Sequence, residues 1–316
     1  MIYLPKFLYP NPLYIIASLI LALILDIVYP YHKGVFYKIH PVHTSYILSQ
    51  KLYKPYSSKL RGFFIWIITI GTHLLIYLLL LYLLYRINFI LWIIASSYII
   101  KTSLSFKLLY DIVKKVKESL YNNDIEKARN IVSGLVRRDT SNLDEYHISS
   151  ASIESLSESF VDGILSPLFW LIIFGPIGSL MQRLINTLDG SLGFKDELHK
   201  DVGFVSALAD TIINYIPARI SVIIFALSSV LIGNDLRSLF SCWKKYKNKT
   251  ESKNAGHPMS SFAGALKISL EKINSYRLCD YDLPKKENIN NALKLILVSY
   301  IITLILTIAI IYLIKL

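Results

Sequence analysis

Between Lys294 and Lys315 the chain runs from Leu295 to Ile314 without one charged side chain. A helix of about 20 apolar residues crosses a bilayer, and in lipid only helices and closed barrels satisfy every backbone N–H and C=O. The flanking lysines can reach the headgroups along their own apolar stems. Leu13–Tyr29, Gly62–Tyr85 and Ile87–Ile100 have the same character, and Phe160–Met181 and Ile212–Ile232 show it more weakly. No small-residue cleavage site follows the first run before Asp26 and Tyr29-Pro30, so that run is expected to remain in place. Hydrophobic residues make up 53% of the 316 positions, more than a water-soluble domain usually carries. The expectation is an all-α, multi-pass membrane bundle, with residues 1–316 forming one domain.

The formal charge of +12 raises nucleic acid as a partner, but no recognition motif accompanies it. Lys and Arg beside apolar runs instead mark cytoplasmic loops and contact with anionic membrane lipid. Tyr31–Arg61, Lys101–Ser159 and Gly233–Asn291 are all rich in them, which predicts a cell-membrane protein with these three loops in the cytoplasm. Two arrangements share that feature. If Phe160–Met181 and Ile212–Ile232 both span, Gln182–Thr211 faces outward; if both are re-entrant, every polar segment faces the cytoplasm. Cys242 and Cys279 are too few for a disulfide framework or a multi-cysteine metal site, and read as small packed side chains.

Leu108, Ile112, Val116 and Leu120 share one helical face, which predicts an amphipathic helix packed on the domain or the membrane surface. Tyr121-Asn-Asn-Asp124 reads as a turn, with Asp124 capping a second helix that ends near Gly134. After Val161 the apolar sequence is punctuated by Pro167, Gly175, Pro176 and Gly178. A smooth spanning helix does not need so many breakers. An interrupted or re-entrant element is expected here, of the kind tolerated when buried in protein or lining a wet cavity.

Directly before that element stands IESLSESFVDG, residues 153–163. Glu154, Glu158 and Asp162 lie at i, i+4 and i+8, one acidic stripe on a helix, where like charges repel by a few tenths of a kcal/mol per pair. Beyond the break, Arg183, Asn186 and Asp189 are spaced i, i+3, i+6, and Asp210 and Asn214 are spaced i, i+4. Arg219 follows the helix-breaking Pro217. Carboxylate and amide oxygens suit Mg²⁺, and the planar fork of Arg suits phosphate or carboxylate. An acidic stripe can also be a plain solvated face; here it abuts apolar sequence, where ionisable groups are costly unless they serve a function. His40 and His43 flank a proline turn and read as loop residues more readily than as a metal pair. His73, inside an apolar run, reads as a core or interhelical hydrogen-bond partner. No P-loop, no dinucleotide fingerprint and no H-E-x-x-H occurs.

RRDTSNLDEYHISSASIESLSESFVDGILSPLFW, NTLDGSLGF, NYIPARI and KNAGHPMSSFAGALKISLEK follow one another in the order typical of the cobalamin biosynthesis CobD/CbiB family. The chain resembles that family from the HPV at His40–Val42, through Arg61-Gly62, to about Arg277. The resemblance implies a membrane-bound adenosylcobinamide-phosphate synthase, a ligase that joins adenosylcobyric acid to aminopropanol or its phosphate with ATP and Mg²⁺. It carries the family's patterned polar positions onto Asp139, Thr140, Glu154, Ser155, Glu158, Asp162, Asn186, Thr187, Asp189, Asp210, Asn214, Arg219, Asn254 and Gly256. Residue types and resemblance together assign Glu154, Glu158, Asp162 and Asp189 to catalysis. They assign Arg183, Asn186, Thr187, Asp210, Asn214, Arg219 and Asn254 to substrate or phosphate, and Glu158, Asp162 and Asp189 to the metal. Expected partners are adenosylcobyric acid, aminopropanol phosphate, ATP, membrane lipid and other membrane enzymes of the cobalamin pathway. The active site is expected to face the cytoplasm.

Three features depart from the family's usual pattern. Ser159 stands where Asn is usual, no Gly-Asp-Pro precedes the HPV, and NAGHPM places His257 where Trp is usual. Other readings have their own signatures. An intramembrane prenyltransferase needs paired aspartate-rich clusters, an ion-coupled transporter repeated halves, and a non-catalytic membrane sensor only the same fold.

Overall fold

The computed structural model describes residues 5–313, so Ile314 and its neighbour Lys315 lie outside the described residues. Helices follow in the order α1 Pro12–Val28, α2 Gly34–Lys38, α3 Pro41–Leu52, α4 Lys59–Ile87, α5 Phe89–Ser103, α6 Phe106–Tyr121 and α7 Ile125–Ser133. Then come α8 Glu145–Phe160, α9 Ser166–Leu192, α10 Phe204–Ile213, α11 Tyr215–Ile232, α12 Leu236–Tyr246, α13 Gly256–Leu266 and α14 Lys286–Leu313. A two-stranded antiparallel hairpin, β1 Leu270–Lys272 and β2 Tyr276–Leu278, interrupts the helices late in the chain. Among the described residues five helical runs are long and apolar enough to cross a membrane: Lys59–Ile87, Phe89–Tyr121, Glu145–Leu192, Tyr215–Ile232 and Lys286–Leu313. The chain is an all-α membrane protein.

The helix starts follow local chemistry. Asn11, Ser58, Asn88, Asp124, Asp144 and Asp235 each accept a backbone N–H of the first turn through a side-chain oxygen. Asp124 is the cap expected from the sequence, and α7 ends against Gly134 as expected. At α3 the cap is His40, whose Nδ1 accepts the Val42 N–H at 3.2 Å, with Pro41 at the first helical position.

Two compact units make up the molecule. The first holds residues 1–105 and 166–214 with the last turns of α14. Here α1 packs on α5 through fully buried Ile15, Leu19 and Ala22 on one side and Trp92, Ile99 and Ile100 on the other. His73 links α4 to α3, its Nε2 lying 2.9 Å from Thr44 Oγ1. The break expected in the apolar element falls in α9. Gly175 sits at φ +66° and Pro176 follows without an N–H to continue the ladder. A side chain at Gly175 would also meet the Leu8 carbonyl at 2.6 Å.

The second unit holds residues 106–165 and 215–305. Phe160, Phe225 and Phe262 form its aromatic centre, with ring centroids 5.1 and 4.9 Å apart along the series. Ser228 and Ser299 join α11 to α14 by a buried hydroxyl pair at 2.8 Å. On α6 the buried face runs through Leu109, Val113, Val116 and Leu120, while Leu108 and Ile112 are half-buried. The face expected from the sequence is thus turned by one residue at its N-terminal end, where tertiary contacts outweigh periodicity.

Cys242 on α12 and Cys279 after β2 are joined as a disulfide, Cα–Cα 5.3 Å, and are not the separate small side chains the sequence suggests. Their separation of 37 positions conceals the pairing, because only the fold of the hairpin against α12 brings them together. Closing a loop of that length restricts the unfolded chain by about 2–4 kcal/mol. Cys279→Ser is therefore expected to lower stability by about that amount in thermal unfolding of the purified protein. A loss below about 0.5 kcal/mol would mean the bridge adds no constraint.

Candidate active site

The acidic stripe is not one environment. Glu154 is 4% exposed, deep in the second unit, and its carboxylate accepts four hydrogen bonds. Arg138 donates Nη1 to Oε2 at 3.2 Å and Nη2 to Oε1 at 3.1 Å. Ser150 donates to Oε1 at 2.8 Å and Tyr276 donates to Oε2 at 2.8 Å. A planar fork facing a carboxylate is the strongest ion-pair geometry available to proteins. Arg138 thus supplies the countercharge that the stripe needs at its first member. Burial, followed by the charge of Glu154, pushes the Tyr276 phenol up, so it stays a neutral donor.

Glu158 is exposed and Asp162 is half-buried. Between them the helix changes type: Val161–Leu165 form a π-helical turn. The wider period of that turn starts at the stripe's last member, so a regular helical count holds up to Asp162 and not beyond it. Single π turns recur at functional sites. Ser155 donates to the Leu135 carbonyl at 3.4 Å, and Thr140 to the Arg129 carbonyl at 3.2 Å. Asp139 is exposed and accepts the Ser141 N–H, and this bond holds its carboxyl below the usual carboxylate range.

The same unit brings Arg219 and Asn254 together, Nη1 to Oδ1 at 3.1 Å. The Arg219 guanidinium also stacks 3.3 Å over the Tyr215 ring. His257, one turn into the NAGHPM segment, accepts from Trp243 Nε1 through Nδ1 at 3.1 Å. Burial, then the charges of Arg219 and Lys247, lower the His257 pKa to about 4, so its imidazole is neutral at physiological pH with Nε2 carrying the proton. Gly256 allows this segment to close, since a Cβ there would stand 2.1 Å from the Lys247 carbonyl.

In the first unit the i, i+3, i+6 set on α9 meets the i, i+4 pair at the end of α10. Asp210 accepts from Asn186 Nδ2 at 3.2 Å and from Asn214 Nδ2 at 2.9 Å. Gln182 Nε2 donates to Asn214 Oδ1 at 3.2 Å. Arg183 donates Nε and Nη2 to the Ser103 carbonyl at 2.9 and 2.6 Å, and Nη1 to Asn186 Oδ1 at 3.4 Å. The Thr187 hydroxyl bonds back to the Arg183 carbonyl at 2.8 Å. Asp189 is half-buried, and its Oδ1 occupies the position a Cβ at Gly193 would take, 2.0 Å away. Gly193 is thus needed to leave that carboxylate where it is.

Sequence reasoning missed four contributors. Arg138 stands in the quoted RRDT segment, so its signal was present, but nothing in spacing pairs it with Glu154. Ser150 stands one turn before Glu154 on α8, an i, i+4 neighbour outside the acidic stripe, whereas Tyr276 reaches Glu154 only through the hairpin, where Ser150 Oγ also accepts the Glu271 N–H at 2.8 Å. Gln182 opens the polar segment after Met181, and its partner Asn214 stands 32 residues away.

A family model for the CobD/Cbib protein family matches residues 19–305. The chain belongs to the CobD/Cbib family. Within it, the chain is 42% identical over 274 residues to the probable cobalamin biosynthesis protein CobD of Aeropyrum pernix, covering 87% of this chain and 86% of that one. It is 38% identical over 271 residues to the protein so named in Thermoplasma volcanium, covering 84% and 86%. The cobalamin biosynthesis protein CobD of Clostridium perfringens is 36% identical over 229 residues, covering 72% of each chain. No solved structure matches the chain. The family match takes in the stripe, the Arg183–Asp210 network and the Arg219–Asn254 pair, all between residues 19 and 305.

Proposed function

We propose that this chain acts in cobalamin biosynthesis as an amide-forming ligase. It joins adenosylcobyric acid to aminopropanol or its phosphate at the expense of ATP, yielding adenosylcobinamide or its phosphate. Family membership supports the pathway. The observation that carries the chemistry is the Asp210 network, in which one carboxylate is held by two amides with a guanidinium beside them.

The donor set fits Mg²⁺. Among the described residues no three His, Cys, Asp or Glu side chains form a cage for an ion by themselves. Magnesium does not need one, because it commonly binds one or two carboxylates and keeps waters and substrate phosphates. In this assignment Asp189 is the candidate carboxylate of the first unit, and Glu158 and Asp162 are taken separately as those of the second. The ion, when bound, neutralises charge on the phosphoryl group being transferred. Arg183 and Arg219 orient phosphate oxygens through their forks. The corrinoid carboxylate takes the terminal phosphoryl group of ATP, releasing ADP. The amine then attacks the acyl phosphate and expels phosphate, with a carboxylate such as Glu158 accepting the amine proton. Glu154, saturated by Arg138, Ser150 and Tyr276, positions α8 rather than taking that proton.

Product formation is expected to require both ATP and a divalent cation. Adenosylcobinamide phosphate appearing equally well in EDTA without nucleotide would falsify the activated-carboxylate scheme.

ATP reaches the protein from the cytoplasm, so the residues around Asp189 and the N-terminal side of α8 should share that side. Ser149 and Ser191 are buried and make poor labelling sites. Ser141 and Glu197 are exposed in the adjoining loops. Single cysteines placed there, with Cys242 and Cys279 replaced, are expected to react with an impermeant maleimide from the same side of sealed vesicles. Labelling from opposite sides would exclude a cytoplasmic placement of both segments.

A further inference from the structure

Around the start of α4 lies a cavity of about 670 Å³ whose lining is both basic and apolar. Lys54, Ser58 and Arg61 supply its polar groups; Leu60, Phe64 and Ile68 supply apolar ones, the last two further along α4. No Asp or Glu lines it. Arg61 donates Nη2 to the Leu52 carbonyl at 3.0 Å, and neither Arg61 nor Lys54 has an acidic partner among the described residues. The Ser58 hydroxyl accepts the Arg61 N–H at 3.4 Å, which leaves its own proton to donate.

The apolar lining is part of a longer surface. Leu60, Phe64 and Ile68 recur at i, i+4, i+8, so they share one face of α4. They are 64%, 51% and 46% exposed, and Leu75 and Leu79 continue the exposed apolar surface further along the helix at 57% and 52%. This helix is one of the five long and apolar enough to cross a membrane. Two cations without countercharge therefore stand where an exposed apolar helix face begins.

We propose that this cavity binds an anionic membrane phospholipid, its phosphate at Lys54, Arg61 and the Ser58 hydroxyl and one acyl chain along Leu60, Phe64 and Ile68. Arg matches phosphate oxygens through its fork, and basic residues at the end of a spanning helix attract anionic headgroups. A free phosphate ion would satisfy the cations and make no use of the apolar face. The size also suits a headgroup with the first part of its chains.

The test uses the full chain purified in detergent, with lipid binding read by native mass spectrometry. Phosphatidylglycerol is expected to bind more tightly than phosphatidylcholine. Lys54→Gln with Arg61→Gln should weaken the first about thirtyfold and leave the second unchanged, since each basic residue near the surface contributes comparably. A Lys244→Gln, Lys249→Gln control on exposed lysines at and just after the end of α12 should change neither. Should the Arg61 change prevent folding, Lys54→Gln alone carries the test with about a fivefold loss, because Lys54 is exposed and its side chain makes no hydrogen bond. Equal binding of the two lipids, unchanged phosphatidylglycerol binding in the variants, or displacement of the lipid by millimolar inorganic phosphate would each overturn the proposal. The last outcome would assign the cavity to a soluble phosphate instead.

Discussion

Glu158→Gln and Asp162→Asn are expected to remain folded in membranes and to lose amide-forming activity by about 10²–10³-fold, the usual effect of removing one contact that stabilises transition-state charge. The stability side of the expectation rests on burial. Glu158 is exposed and Asp162 half-buried, so neither amide replaces a carboxylate as deeply enclosed as Glu154. Relieving their mutual repulsion shifts stability by no more than a few tenths of a kcal/mol. Glu145 is the control. It lies outside the stripe and meets Lys286 at 3.8 Å in a partly exposed pair, a kind worth about 0–1 kcal/mol. Glu145→Gln should leave both turnover and thermal stability near normal. Near-normal turnover of Glu158→Gln and Asp162→Asn at saturating Mg²⁺ would reduce the outer stripe to a charged surface.

The first member of the stripe should behave in the opposite way. Glu154→Gln leaves the Arg138 guanidinium buried against a neutral amide, and Arg138→Met leaves the Glu154 carboxylate with hydroxyl donors only. Breaking a buried pair from one side costs about 3–5 kcal/mol, because the remaining charge keeps its desolvation penalty. Each single variant is expected to unfold at markedly lower temperature. Combining Arg138→Met with Glu154→Leu and Tyr276→Phe removes both charges and the phenol that served them, and most of the loss should be recovered. Thermal unfolding in detergent reads all three. Single-variant losses under 1 kcal/mol would show that the pair is solvated enough to be dispensable.

These two expectations separate residues that the sequence presents as equivalents. On spacing alone Glu154, Glu158 and Asp162 are three carboxylates on one helical face, mutually unfavourable and alike. The distinction comes from partners 16 and 122 residues away in the chain, Arg138 and Tyr276. It comes also from burial, since Glu154 is enclosed while Glu158 is exposed and Asp162 half-buried. Similarly, the Arg183, Asn186 and Asp189 face and the Asp210–Asn214 pair were each legible as polar periodicities. The meeting of Asn186 and Asn214 at the Asp210 carboxylate was not, because helix period carries no information about which helix lies opposite.

What the sequence determined by itself is local. A charge-free run longer than a bilayer dictates a membrane helix, Asn11 and Asp124 dictate helix starts, and Gly175-Pro176 dictates a break, because each acts on its own backbone within a few residues. Family motifs in order identified the family for the same reason, being contiguous text. Tertiary structure alone decided which carboxylate is enclosed against Arg138 and which lie nearer the surface. It closed Cys242 on Cys279, set Tyr276 on Glu154 and, among the described residues, left Lys54 and Arg61 without an acidic partner beside an apolar helix face. Those outcomes depend on distances between segments far apart in the chain, and a pairwise interaction exists only once the fold has set that distance.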